Sequence, residues 1–364
     1  MKICFLTHNL KTDNGGGTFS RHLIEGLRDS LPAEVTALTY ESSDMPYEKP
    51  ILGISRGGLF SLIRRVRKEI RAADVVHAVD VFPYGFLGAL ASWGLGKPLV
   101  ISAVGTGSIL PLYRPFVSVA ARWALRRAAA RTAISHFTAR EIQKKAGTLA
   151  ISVITPGLDA KDYACAERAE VAPRIAALKP YIMSVGAIRR RKGFHVSIPA
   201  FAEIAREFPD LKYVIVGKKH RESYYRELQE LIRAHRLQGR VVCVEDADTR
   251  EALFQYYKGA KLFLLASQNT GHDVEGFGIV FLEAAACGLP VVGTRGCGID
   301  DAVENGENGI LVPEGDPKKF ADAALTVLGD PALYRKMSEA SRAFARRFHW
   351  DQKIREYINL YKSL

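Results

Sequence analysis

The stretch of residues 274–290 constrains the fold of this chain more than any other, because it joins a glycine-rich loop, an apolar helix and a stop signal. The sequence predicts that the helix begins near Gly278. Gly288 suits the left-handed residue that follows a helix, and Pro290 cannot continue one. The first-turn amides of such a helix, with the helix dipole behind them, form an anion site. The glycines let a phosphate approach the backbone there.

Two carboxylates frame this predicted anion site. Glu275 lies in the loop, and Glu283 lies about a turn and a half further along the helix, roughly 8 Å by helical rise. A phosphate would therefore lie between two groups that accept hydrogen bonds from hydroxyls. This order suits a ligand that carries a sugar, a diphosphate and a ribose in series.

The length and composition of the chain predict a globular protein with two domains of ordinary size. The chain has 364 residues, of which 48% are hydrophobic and 25% are charged. Its five cysteines are scattered and form no C-x-x-C pair, which disfavours a disulfide framework or a zinc site. Because no signal peptide or membrane-spanning run is evident, the sequence predicts a cytoplasmic protein.

The positive charge is concentrated in one quarter of the chain. The formal net charge is +12, and residues 49–145 contain 16 Lys and Arg against 4 Asp and Glu. Residues 61–71 and 122–140 read as helices with one basic and one apolar face, a pattern that attracts anionic lipid headgroups or other polyanions. A solvated helix surface explains either helix equally well, and no recognised motif favours nucleic acid.

A second predicted phosphate-binding loop follows the strand at residues 180–185. Gly186 ends that strand, and Gly193 opens a helix at residues 194–208. Between them are four consecutive cations, Arg189, Arg190, Arg191 and Lys192. Arginine grips phosphate oxygens in pairs and lysine acts as a point charge, so this loop suits a diphosphate, although a solvated basic loop is the alternative.

The chain opens on a strand at residues 3–7, a glycine turn and a helix at residues 19–31, as nucleotide-type α/β layers do. Gly15, Gly16 and Gly17 are not spaced as G-x-G-x-x-G, so no dinucleotide is inferred, and a tight turn with positive φ is the alternative. The Asp-x-Asp at Asp246 and Asp248 is interpreted as a loop and helix cap rather than a metal site.

The run of residues 275–294, with its Glu-x7-Glu spacing and following Gly-Leu-Pro-Val-Val-Gly-Thr, resembles the signature of retaining glycosyltransferases of the GT4 type. The resemblance implies an α/β GT-B fold, with two facing Rossmann-like domains, a cleft between them and a C-terminal helix that crosses back. We expect an acceptor-side domain at residues 1–165, a linker at residues 165–179, a nucleotide-sugar domain at residues 180–345 and the returning helix at residues 346–364.

The resemblance also assigns roles to residues. The predicted catalytic residues are Glu275, Lys192 and Arg191. The predicted donor-binding residues are Gly16, Gly17, Gly186, Arg189, Arg190, Gly276, Phe277, Gly278, Ile279 and Glu283. On the acceptor or sugar side the prediction names His77, Gly105 and Thr106. The chain departs from the family at Val104, where relatives carry a histidine, and at Ala187, where they carry an arginine.

Together these features predict a retaining glycosyltransferase that moves a sugar from a nucleotide-diphosphate sugar to a glycolipid or surface-polysaccharide acceptor. Lys192 and one of the three arginines, with the amides of Gly278 and Ile279, would stabilise the leaving diphosphate, so neither metal nor cofactor is expected. Glu275 would orient sugar hydroxyls and Glu283 ribose hydroxyls. An anionic membrane surface is a possible partner, which would place the protein peripherally at the inner face of the plasma membrane. The alternatives are a nucleotide-sugar epimerase, a phosphorylase, or a donor-binding subunit with weak catalysis.

Overall fold

The computed structural model describes residues 1–12, 14–31, 34–54 and 58–364. Its strands are β1 (Lys2–Thr7), β2 (Glu34–Thr39), β3 (Glu48–Lys49), β4 (Val75–Val79), β5 (Leu99–Ala103), β6 (Ala130–Ala133), β7 (Ser152–Val153), β8 (Tyr181–Val185), β9 (Lys212–Val216), β10 (Val241–Val244), β11 (Leu262–Leu265), β12 (Val291–Thr294) and β13 (Gly309–Val312). Its α-helices are α1 (Gly15–Ser30), α2 (Gly58–Ile70), α3 (Phe86–Ser92), α4 (Thr106–Ile109), α5 (Val117–Arg127), α6 (His136–Ala146), α7 (Ala160–Arg168), α8 (Pro173–Ala176), α9 (Phe194–Glu207), α10 (Glu222–Ala234), α11 (Arg250–Gly259), α12 (Ile279–Ala286), α13 (Pro317–Gly329), α14 (Pro331–Ala345) and α15 (Trp350–Lys362).

Contacts divide the chain into two compact units. The first comprises Met1–Pro156 and Trp350–Leu364, and the second comprises Gly157–His349. The first unit therefore ends nine residues before the boundary expected at residue 165. The cause is α7, which belongs to the second unit because the buried carboxylate of Asp162 accepts a hydrogen bond of 2.8 Å from Arg250 Nε. Residues 165–179, the expected linker, lie within the second unit and hold part of α7 and all of α8.

The first unit is built on a seven-stranded sheet in the order β3-β2-β1-β4-β5-β6-β7. Every recorded pairing in it is parallel, including Ile3 against Val75 between β1 and β4. Strands β4 and β5 are buried along their whole length. This burial is expected of a parallel sheet, because the crossover helices cover both faces and leave no polar side.

The second unit repeats the plan with a six-stranded parallel sheet in the order β10-β9-β8-β11-β12-β13. Strands β8, β11 and β12 are fully buried at its centre. The loops that follow β8 and β11 therefore leave neighbouring strands on the same edge. They carry the four-cation run and the loop with Glu275.

The C-terminal helix α15 packs on α1 within the first unit. A Cβ added to Gly26 of α1 would lie 2.6 Å from Ile354 Cγ1, so the missing side chain lets the two helices approach closely. Trp350 stacks on His22 with ring centroids 5.5 Å apart. The last helix thus contributes to the core of the unit that begins the chain.

No helix in the described ranges combines the length and the apolar character that a membrane span requires.

Candidate functional site

The cationic loop after β8 is shaped by two glycines. Gly193 has a φ of +69°, and a Cβ there would lie 1.6 Å from the carbonyl oxygen of Ala266, so only glycine allows the loop to cross the end of β11. The stem of Lys192 lies over Gly186, where a Cβ would be 2.9 Å from Lys192 Cε. Both features direct the Lys192 side chain into the protein, and only 9% of the residue is exposed.

Lys192 and Arg191 converge on Glu275. Lys192 Nζ lies 2.7 Å and an Arg191 guanidinium nitrogen 3.2 Å from the same Glu275 oxygen. Burial alone would raise the pKa of Glu275, but the two cations outweigh it and lower the pKa to about 2. The structure therefore brings together the three residues that the sequence predicts to be catalytic, with the carboxylate ionised.

The three arginines of the loop have different surroundings. Arg190 pairs with Glu227 of α10 at 2.8 Å and is half exposed, so it points away from Glu275. Arg191 also donates to the carbonyl oxygen of Val274 at 2.8 Å. The buried Nε of Arg189 has no hydrogen-bond partner among the described residues, and burial, followed by the charge of Arg191, lowers its pKa. The Nε of Arg191 also has no hydrogen-bond partner among the described residues, but it lies 3.2 Å from Asp273 Oδ1, so Arg189 is the arginine better placed to bind a further anion.

Helix α12 begins where the sequence predicts an anion site. Gly278 precedes it with a φ of +85°, and the first-turn amides of a helix have no intrahelical partner. A Cβ on Gly298 would lie 2.1 Å from the carbonyl oxygen of Gly276, so two glycines let these loops touch. Phe277 is a core residue, 3% exposed, and only its backbone could serve a ligand.

Glu283 is held by protein groups on both oxygens. Arg250 donates to one oxygen at 2.6 Å, and the hydroxyl of buried Tyr257 donates to the other at 2.7 Å. Arg250 also binds Asp162, so one guanidinium joins two buried carboxylates. With 3% of Glu283 exposed, its predicted contact with ribose depends on the lone pairs that these bonds leave.

Gly15, Gly16 and Gly17 form the first turn of α1 rather than a turn before a helix, so the expected start at residue 19 is wrong. Asn14 caps the helix by accepting a hydrogen bond from the Gly17 amide at 2.8 Å. A Cβ on Gly17 would lie 2.2 Å from the carbonyl oxygen of Lys11. The small size of Gly17 therefore serves packing within the first unit, whereas a Cβ on Gly16 would meet nothing closer than 3.7 Å.

His77 requires a correction, because the structure buries it completely. Its Nδ1 lies 2.5 Å from the Tyr361 hydroxyl and its Nε2 lies 2.7 Å from Ser102 Oγ. Burial lowers the pKa of His77 to about 3, so the ring is neutral. His77 links α15 to the sheet through these hydrogen bonds. The sequence-based prediction required His77 to reach an acceptor surface, and it does not.

The loop after β5, with Val104, Gly105 and Thr106, wraps around Asp80. One Asp80 oxygen accepts from Ser108 Oγ at 2.7 Å and from the Val104 amide at 3.2 Å. Burial raises the pKa of Asp80 to about 6 against the lowering effect of these bonds. Gly105 precedes α4 with a φ of +76°. The backbone that carries the predicted sugar-side residues is thus fixed by a carboxylate that the sequence analysis did not single out.

Sequence reasoning missed Asp80, Arg250 and Tyr257. Each acts through a partner distant along the chain, such as Asp80 and Ser108, 28 residues apart, or Arg250 and Glu283, 33 residues apart. The one available signal was Asp80 itself, an acidic residue directly after a buried apolar strand.

Two Rossmann-like units with parallel sheets, one carrying a cationic loop beside a helix start, define the GT-B class of nucleotide-binding folds. Residues 167–344 match the family described as Glycosyl transferases group 1, and residues 13–162 match Glycosyltransferase Family 4. The chain belongs to this GT4-type family, which confirms the predicted family and fold class.

Two curated relatives illustrate the range of the family. A GDP-mannose-dependent alpha-(1-6)-phosphatidylinositol monomannoside mannosyltransferase of Mycolicibacterium smegmatis is 30% identical over 278 residues, which are 72% of this chain and 69% of that protein. A D-inositol 3-phosphate glycosyltransferase of Corynebacterium urealyticum is 33% identical over 223 residues, 59% of this chain. That match spans about half (51%) of the relative's length.

Solved structures share the fold. Anabaena Alr3699/HepE in complex with UDP superimposes with a TM-score of 0.80 at 23% identity, covering 100% of both chains. The lipopolysaccharide-biosynthesis glycosyltransferase WaaG superimposes with a TM-score of 0.72 at 16% identity, covering 99% of both chains.

Proposed function

We propose that this protein is a retaining glycosyltransferase that moves a sugar from a nucleotide-diphosphate sugar to a glycolipid or surface-polysaccharide acceptor. Arg191 and Lys192 converge on Glu275, which lies just before the start of α12, and the charge of Glu275 also acts on Arg189; this convergence is the observation that carries the proposal. Departure of a nucleoside diphosphate leaves negative charge on the phosphates and positive charge on the sugar. These cations and the first-turn amides would stabilise the leaving group, and Glu275 would hold sugar hydroxyls.

The same charges make a metal ion unnecessary in the proposed mechanism. Fixed cations and amides would stabilise the charge of the diphosphate, which is the task that a divalent ion performs in other phosphate chemistry. The leaving phosphate would take the acceptor's proton. Product analysis tests the function: free nucleoside diphosphate should appear with a glycosylated acceptor of retained configuration, and EDTA should not slow it. An isomerised donor without acceptor would indicate an epimerase instead.

A basic-aromatic surface on the first unit supports a membrane-bound acceptor. It comprises Phe60, Trp93, Phe116, Val119, Arg67, Arg122, Arg126 and Arg127. Phe116 is 91% and Phe60 79% exposed, although large apolar side chains are usually buried. Trp93 lies under Arg127 at 5.5 Å, and its carbonyl oxygen accepts from Arg67 at 2.6 Å, which joins α2, α3 and α5.

Aromatic rings beside arginines match the boundary between lipid headgroups and acyl chains of an anionic bilayer. A cavity of about 490 Å³ on this surface, lined by Arg122, Arg126 and Lys145 with Trp123, has the charge for a lipid phosphate. The mannosyltransferase of Mycolicibacterium smegmatis acts on a phosphatidylinositol monomannoside, as its name states. We therefore place this protein at the cytoplasmic face of an anionic membrane.

A further inference from the structure

A cluster of polar and aromatic side chains at the carboxyl edge of the first sheet has no role in the mechanism above. It consists of His8 after β1, Tyr40 and Glu41 after β2, and Tyr84 after β4. His8 Nδ1 lies 2.8 Å from the Tyr84 hydroxyl, and the His8 ring stacks on Tyr40 with centroids 5.4 Å apart and planes 13° apart. His8 Nε2 lies 3.5 Å from Glu41.

The topology of the sheet gives this cluster its significance. Strand β1 lies between β2 and β4. The chain continues from β1 to β2 and β3 on one side, and the later strands, beginning with β4, are added on the other side. The loops after β1 and β4 separate at this point, and open α/β sheets bind ligands in the crevice that results. The bond between His8 and Tyr84 spans that crevice.

The cluster is open to a ligand on one side. The Tyr40 residue is 51% exposed and the His8 side chain 53% exposed, while Tyr84 is 7% exposed beneath them. The Tyr40 ring and the half-exposed Glu41 carboxylate therefore offer a ligand both an apolar face and a hydrogen-bond acceptor.

The charges of the cluster select a class of ligand. Glu41 pairs with Lys11 at 3.0 Å, and this bond lowers the pKa of Glu41, so the carboxylate is ionised. An ionised carboxylate accepts hydrogen bonds only, so it can bind hydroxyl groups but offers no donor to a phosphate or carboxylate. A flat aromatic face contributes apolar area for C–H groups. These properties fit a polyhydroxylated ring and oppose an anionic group at this point.

We infer that His8, Tyr40 and Glu41 form the subsite for the acceptor's sugar or cyclitol ring, with the ring packed on Tyr40 and its hydroxyls bonded to Glu41 and His8 Nε2. The inference rests on the proposed glycosyltransferase function and adds residues that no motif indicates. Tyr84 is a positioning residue, because it fixes the imidazole through Nδ1 and leaves Nε2 toward the ligand.

Saturation-transfer NMR on the 364-residue chain tests the subsite, with myo-inositol, methyl α-D-mannopyranoside and methyl α-D-glucopyranoside as soluble probes. We expect at least one ring to bind wild type, and Tyr40→Leu to weaken it about three- to tenfold because the aromatic face is lost. Tyr40→Phe should retain binding, and Glu41→Gln should weaken it. Vesicles with phosphatidylinositol, compared with free myo-inositol, distinguish a lipid-linked ring from a soluble one.

Calorimetry with UDP-glucose and GDP-mannose separates this inference from the proposed function. All three variants, Tyr40→Leu, Tyr40→Phe and Glu41→Gln, should bind nucleotide sugar as wild type does, because the cationic loop lies on the second unit. Equal ring binding by wild type and Tyr40→Leu, or no binding of any ring to wild type, would overturn the subsite. Loss of nucleotide-sugar affinity in Tyr40→Leu would show that the cluster binds the donor, and this result would also overturn the acceptor subsite. Absence of nucleotide-sugar binding in wild type would contradict the proposed function instead.

Discussion

At the residue scale, the cationic loop shows how neighbouring residues of one type acquire different tasks. Arg190 is held by Glu227, Arg191 and Lys192 share Glu275, and Arg189 keeps a buried Nε without a partner among the described residues. A buried donor without an acceptor costs free energy until a ligand satisfies it. The loop is therefore prepared for an anion mainly at Arg189.

Replacing Arg189 by alanine should weaken nucleotide-sugar binding about ten- to a hundredfold, the range of a hydrogen bond to a charged group. Arg190→Ala is the matched control, because it removes an adjacent, exposed arginine whose partner is Glu227. Isothermal calorimetry measures both variants. Equal losses in the two would show that the loop acts only through its total charge.

Asp80 predicts a pH dependence of stability. Its pKa is about 6 in the folded protein and lies near 4 in an unfolded chain, so the folded state holds the proton more tightly. Stability should therefore fall by up to about 3 kcal/mol as pH rises from 4 to 6 and then level off. Asp80→Asn, which cannot ionise, should show a flatter profile in urea unfolding across that window. A profile as steep as wild type would contradict this assignment.

At the element scale, the C-terminal helix is locked to the first sheet by a buried polar network. Tyr361 and Tyr357 of α15 reach His77, Ser102 and Thr132 on three strands, and every member is buried. A buried network of this kind specifies one docking position, because any shift would leave polar groups unsatisfied.

Tyr361→Phe should lower the free energy of unfolding by about 1–3 kcal/mol, because it leaves a buried His77 nitrogen without a partner. Tyr40→Phe is the control, since half of Tyr40 is exposed to water. Thermal and urea denaturation compare them. If Tyr361→Phe were as stable as Tyr40→Phe, the network would not hold the helix.

Elements were easier to predict than their contacts. The strand expected at residues 180–185 is β8, and the helix expected from Gly278 is α12, because local apolar patterns and glycines fix both. His77 was assigned to the acceptor side because the stretch around it resembles one in the family, where a strand ends at a histidine near the acceptor. Its partner Tyr361 lies 284 residues away, and no local pattern carries that information.

The candidate site was predictable to the same extent. Lys192 and Glu275 were named from their motifs, and the structure brings them within 2.7 Å. The roles of Arg189 and Arg190 could not be separated, because only the position of Glu227 on α10 distinguishes them. Similarly, the partners of Glu283 come from α11, and helix packing determines that contact.

At the scale of the whole molecule, charge is distributed unequally between the units. The excess of cations counted in residues 49–145 lies in the first unit, where the basic-aromatic surface is. The proposed membrane contact and the proposed donor site therefore lie on different units.

The basic-aromatic surface predicts binding to anionic vesicles at low salt. Replacing Arg122 and Arg126 by glutamine should weaken it about thirtyfold, since each cation near such a surface contributes about 1 kcal/mol. Phe116→Ser should weaken it further by removing an inserted ring. Vesicle flotation measures the binding, with neutral vesicles and the variant Arg206→Gln, on the second unit, as controls. Equal flotation of wild type on neutral and anionic vesicles would contradict the charge-based account.

The central claim is that the second unit binds a nucleotide-diphosphate sugar through Lys192 and its neighbours. Calorimetric titration of wild type and Lys192→Met with UDP-, GDP- and ADP-sugars tests it most directly, with circular dichroism to verify folding. We predict that wild type binds at least one of these donors and that folded Lys192→Met binds it at least about tenfold more weakly. Unchanged affinity in the variant, or no binding of any donor to wild type, would contradict the claim.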